Sequence, residues 1–171
     1  MNETPEQYTA RMLGMLAGRD PMDVLPGTPA ALALLVGAQP VDRLTRRPAP
    51  GTWSVAEILA HLADTETVIG LRVRTVLERP GAAIQAFDQD VWAAYSDYGS
   101  IPAGESLDRF GANRRANVRL LRLLAPEQLA RHGVHSERGP ETVAHIIRMW
   151  AGHDLNHLAQ VEKILGRAAA A

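Results

Sequence analysis

His153 and His157 stand four residues apart in the segment His153-Asp-Leu-Asn-His157. On a helix, that spacing stacks two side chains a turn apart on one face, so both imidazoles can reach a common point. Two rings so placed form a chelating pair for zinc or nickel. Spacing alone leaves a second reading open, in which the two histidines simply decorate a solvated face. Their position argues for the first. At ~100° per residue, His157 and Asp154 fall within the apolar stripe of Ile146, Trp150, Val161 and Ile164, and His153 lies on its edge beside Met149. His61, on the flank of another helix's stripe, is the candidate third ligand. Three protein ligands leave coordination positions for water and substrate, the arrangement of a catalytic metal.

Three more polar side chains fall where a helix should be oily. Glu66 sits within the stripe of Val55, Leu59, Leu62 and Val73, and Arg114 lies on the face of Leu107, Phe110, Val118 and Leu121 with Asn117 nearby. One reading is a buried Glu66–Arg114 ion pair. The other puts Arg114 and Asn117 on an anionic substrate group, with Glu66 or Asp154 orienting a ligand or moving a proton. His145 reads as a satisfied surface or packing residue at a core border, and His132 and His135, in the polar stretch 131–140, as solvated. Trp53 reads as a plug at a helix start. Trp92, with Tyr95 and Tyr98, either walls a pocket as a substrate contact or pins a long connection. No Gly-rich phosphate loop and no G-x-S-x-G elbow is present.

The 171 residues carry a formal net charge of −1, with 46% hydrophobic and 22% charged residues. That is the size and composition of one globular domain, taken here as 1–171. The absence of cysteine excludes disulfides, thiolate ligands and a cysteine nucleophile together. Near-neutrality argues against nucleic acid as the partner. No apolar run approaches the ~20 residues of a membrane span. The acidic N-terminus lacks a signal-peptide pattern, so the cytoplasm is the expected compartment.

Four helices must position these side chains. Thr4-Pro5 opens the first, which carries Tyr8, Met12 and Leu16 to about Gly18. Ser54 and Glu57 form a capping box for a second, running to about Arg79. A third is predicted from a Ser106 cap to about Ala125, and a fourth from about Glu141 to Leu165, closed by Gly166 and followed by fraying alanines. A short apolar helix covers 30–36, and no strand-like alternation appears. Ser54-Val-Ala-Glu and Thr142-Val-Ala-His start alike, a duplication or two solutions of one packing problem. The fold class is an all-α four-helix bundle with short extra helices in its connections.

Trp53-Ser-Val-Ala-Glu-Ile-Leu-Ala-His61-Leu-Ala-Asp64-Thr-Glu66 resembles the first signature of the DinB/YfiT-like four-helix-bundle proteins, and His153-Asp-Leu-Asn-His157-Leu-Ala-Gln160 their second. The resemblance spans roughly residues 5–166. It implies an up-down-down-up bundle, a homodimer, and one divalent metal (zinc, nickel or manganese) on His61, His153 and His157. It also implies a metal-dependent S-transferase that uses a low-molecular-weight thiol against small electrophiles in a detoxification or stress response. The sulfur then arrives with the cosubstrate, which suits a chain without cysteine. Two alternatives stand beside it: a metal-dependent hydrolase activating water, with Glu66 or Asp154 as base, and a non-catalytic metal-binding stress protein.

Overall fold

The computed structural model describes residues 3–166; the terminal alanines lie outside that range. Helix α1 (Pro5–Leu16) begins with a reciprocal capping box between Thr4 and Gln7 and has Pro5 in its first turn, where a missing N–H costs nothing. The first connection holds three short helices, α2 (Pro21–Val24), α3 (Thr28–Val36) and α4 (Val41–Thr45). Helix α5 (Val55–Glu78) starts at the Ser54–Glu57 capping box, as predicted, and Glu57 is further held by Arg47. A second connection carries β1 (Ala83–Ile84), α6 (Gln89–Tyr95) and a single 3₁₀ turn over Tyr98–Ser100.

Helix α7 (Ala103–Leu121) starts three residues earlier than its expected cap. Pro102 is the N-cap, and Ser106 lies inside the helix with its hydroxyl buried and, among the described residues, unpartnered. The helix also ends four residues short of Ala125, because Pro126 bars the helical conformation upstream and begins a helix of its own, α8 (Pro126–Leu129). The stretch read as a polar connection is a hairpin, β2 (His132–His135) and β3 (Gly139–Thr142), with β1 pairing parallel to β2. Four-residue strands are too short to show a pattern. Pro140 is tolerated because β3 is an edge strand, and Gly139 supplies the φ of 76° that closes the turn. Thr142 caps helix α9 (Val143–Ile164), and Gly166 follows it at φ 62°.

The four long helices, α1, α5, α7 and α9, form an up-down-down-up bundle. Asp64 meets Arg109, Glu66 meets Arg114 and Arg74 meets Asn117, so α5 and α7 advance together. Parallel neighbours need a long crossover, which the connection over 79–102 provides. Helix α9 runs against them. Val55, Ile58 and Leu62 pack with Val161 in one core cluster, and Val73 and Val76 with Val143, Ile146 and Trp150 in the other. Among the described residues no helix is long and apolar enough to cross a membrane.

Candidate metal centre

Between the two apolar clusters lies a polar layer. Its first part is the three histidines. His61 from α5 and His153 and His157 from α9 are all at least nine-tenths buried. His153 Nε2 lies 3.1 Å from His61 Nε2 and 3.1 Å from His157 Nε2, and the candidate ligand atoms all fall within 4.8 Å of one another. A tetrahedral ion with metal–nitrogen bonds of about 2.0–2.1 Å sets its ligand nitrogens roughly 3.3 Å apart. The donor set fits such an ion.

Hydrogen bonding alone does not satisfy this cluster. The single Nε2 of His153 faces two others, and a neutral ring nitrogen either donates or accepts. Burial, helped by the charge on His157, pushes His61 down to about 3. Burial also takes His157 to about 4, against its bond to Gln160 and the charge of Asp154. The wholly buried His153 is held well below the ordinary histidine range. All three are therefore neutral at pH 7, the form that ligates a cation. His157 Nδ1 lies 3.0 Å from Gln160 Oε1, which fixes that ring with Nε2 turned inward. Trp53 packs 4.9 Å from the His61 ring, and Thr65 Oγ lies 3.4 Å from its Nε2.

The second part of the layer is built on Arg114, which is 1% exposed. Its Nε and Nη2 donate to Glu66 Oε2 at 3.0 and 2.8 Å. Its Nη1 and Nη2 donate to the Asp154 carboxylate at 2.5 and 3.0 Å, and Nη1 also to the Leu25 carbonyl at 2.8 Å. Phe110 and Trp150 cover the guanidinium. Asn117 donates to the Glu66 carboxylate and carbonyl and accepts from Arg74. This geometry leaves Arg114 no N–H for a substrate, and it ties Glu66, Asp154 and Asn117 to Arg114 and Arg74. The buried Glu66–Arg114 ion pair is formed, with Asp154 as a third member. Burial raises Glu66, in spite of Arg114 and Asn117. Burial also works against the charge of Arg114, but Asp154 and Glu66 outweigh it and hold the guanidinium protonated. Glu66 and Asp154 each stand twelve residues beyond their helix caps, Ser54 and Thr142. The two similar helix starts thus place equivalent carboxylates on one arginine.

A cavity of about 470 Å³ opens beside the histidines, bounded by α1, α5, α9, the hairpin and the segment before α6. His61 and His153 are in its wall. Trp92 is not; it packs 5.1 Å from Phe87, which is. Tyr98 is buried, donating to Asp64, and Tyr95 is exposed, so neither forms the wall. His135 overturns its expected place in solvent, since β2 alternation turns it inward to 2% exposure. Arg72, another cavity residue that went unrecognised, had a legible signal. His61, Thr65, Ile69 and Arg72 follow helical spacing along one face of α5, and all four line the cavity.

The family model for the DinB superfamily matches residues 25–161. Two relatives from Oceanobacillus iheyensis, both named provisionally as metal-dependent hydrolases, are 29% identical over 117 residues and 30% identical over 122 residues. Those alignments cover 68% and 71% of this chain and 67% and 69% of the relatives. The structure of YfiT from Bacillus subtilis, described provisionally as a metal-dependent hydrolase of unusual four-helix-bundle topology, superposes with a TM-score of 0.75. That match is at 22% identity and covers 98% of this chain and 92% of YfiT. With the bundle, the paired signatures and a family match over most of its length, the chain belongs to the DinB superfamily.

Proposed function

We propose that this chain is a metal-dependent hydrolase of small molecules, with one divalent ion (zinc, nickel or manganese) on His61, His153 and His157. The observation that carries the reading is the convergence of three buried, neutral imidazoles at the wall of a substrate-sized cavity. An ion held there supplies Lewis acidity, polarising a substrate oxygen and easing ionisation of water. The protein's own contribution is positioning. Gln160 orients His157, Trp53 buttresses His61, and burial removes competing protons from the ring nitrogens. Arg114 holds α5 to α9 through Glu66 and Asp154, one residue from Thr65 and His153 respectively, and so sets the register in which the histidines meet. With both carboxylates engaged, Glu66 and Asp154 act as positioning residues in this reading and not as bases.

The names of the two Oceanobacillus iheyensis relatives favour hydrolysis. The thiol S-transferase becomes the second arm of the test. Purified protein should hold close to one divalent ion per chain by plasma mass spectrometry, and His61→Ala or His157→Ala should lose it. Metal-loaded protein should then release product from a panel of esters and amides without added thiol. Turnover only when a thiol and an electrophile such as chlorodinitrobenzene are supplied would replace hydrolysis by transfer. Metal content unchanged in both variants would sink the centre. The homodimer belongs to the same proposal and is tested by light scattering on the eluting protein.

A further inference from the structure

The cavity has a second polar pole. Arg72 stands eleven residues beyond His61 on α5, about 16 Å along the helix at 1.5 Å per residue. His135 approaches the same cavity from β2. Among the described residues each brings a buried donor without an acceptor, Arg72 Nε and His135 Nε2. For His135 the tautomer follows from the backbone. The N–H of Glu137 donates to Nδ1 at 3.2 Å, so the proton of the neutral ring sits on Nε2. Arg72 is held in place by an Nη2 bond to the Gln85 carbonyl at 2.6 Å and by the Phe87 ring, 5.7 Å from its guanidinium carbon.

Among the described residues no carboxylate forms a salt bridge with Arg72, and Glu141 and Glu137 act on its charge only through space. Arg138 takes Glu141, Arg11 takes Glu3, and the remaining acidic residue of the lining, Glu137, is exposed. A fixed cation and two buried donors with no acceptor call for a group that only accepts and carries negative charge, which a carboxylate or a phosphate does. Between this pole and the histidines the wall is apolar, with Ile69, Ile146, Met149 and Trp150.

We propose that the cavity takes a small organic anion. Its carboxylate or phosphate accepts from Arg72 Nε and His135 Nε2, its apolar body lies along Ile69, Met149 and Trp150, and its reacting bond faces His61 and His153. This names the substrate class of the same site and rests on the reading of that cavity as the place where substrate binds.

Calorimetric titration of the zinc-loaded protein with 4-phenylbutyrate, its neutral amide and 2-phenylethyl phosphate tests the inference. One of the two anions should bind at least tenfold tighter than the amide, and which of them binds better identifies the anionic group. Arg72→Met should abolish that preference, and His135→Phe should weaken the anion several-fold without weakening the amide. If Arg72→Met fails to fold, Arg72→Lys and His135→Phe decide, since each must weaken the anion alone. The preference must survive in His61→Ala. Its loss there together with survival in Arg72→Met would mean that the anion sits on the metal, and would overturn the inference. Equal affinity for acid, phosphate and amide, or no binding of either anion at millimolar concentration, would overturn it as well. A wild-type protein that takes up no metal yet prefers the anion would refute the metal centre and leave the anion pole standing.

Discussion

Replacing Arg114 by Met removes the cation on which α5, α7 and α9 meet. The side chain is close in volume, so the change tests charge and hydrogen bonding more than packing. Glu66 and Asp154 would then face each other, 0% exposed, without the five N–H bonds they now share with the Leu25 carbonyl. Breaking a buried pair by removing one partner costs about 3–5 kcal/mol, because an uncompensated charge stays behind. In a chain of this size 1 kcal/mol moves the melting temperature by about 2–4 °C, so a fall of roughly 6–20 °C is expected. Circular dichroism melts and urea midpoints measure it. Arg114→Lys, which keeps charge but loses the planar fork, should fall in between. Adding Glu66→Gln and Asp154→Asn to Arg114→Met should recover part of the loss, since coupled neighbours are not additive. A melting temperature for Arg114→Met within 2 °C of wild type would refute the reasoning. So would strictly additive losses in the triple variant.

Three other outcomes follow from the same geometry. Gly152→Ala should destabilise the packing of α1 on α9 by at least about 1–3 kcal/mol in urea, because a Cβ there would stand 1.9 Å from the Met12 carbonyl oxygen; an unchanged midpoint would mean that the helices are not so close. Gln160→Ala should weaken zinc binding about 10–100-fold by competition with a chelator while leaving the fold intact, and an unchanged affinity would deny the bond a role in orienting His157. Metal-free protein should lose stability as pH falls. His61 and His157 keep folded values of about 3 and about 4, below the unfolded 6.5, so the unfolded chain binds more protons in the window between. Each contributes up to ~1.4 kcal/mol per pH unit from 6.5 down to its folded value, and a urea midpoint that does not change between pH 7 and pH 5 would contradict the burial of these rings.

What could be read from the chain alone was whatever is local or periodic. The Ser54–Glu57 box, the Thr4-Pro5 start and the four long helices depend on residues within a turn or two of each other. His153 and His157 were legible as a pair because four residues is one turn. The anomaly of Glu66 and Arg114 on apolar faces was legible too, and so was their pairing. That Asp154 completes the pair was not, because a third helix brings it. The hairpin escaped because two four-residue strands have no periodicity to detect, and with it went His135, whose burial depends on the pairing of β2 with β1 and β3. Arg72 lies on the His61 face, but an arginine there reads as a solvated flank until Gln85 and Phe87, after β1, close on it.

Helix identity, the candidate ligand types and the exclusion of any protein thiol were thus determined by sequence, through propensity, period and composition. The meeting of three nitrogens at one point, the saturation of Arg114 and the two unmatched donors at the far pole were decided only in the folded chain. Those are contacts between residues tens of positions apart, and the order and direction of the helices, not any local pattern, bring them together.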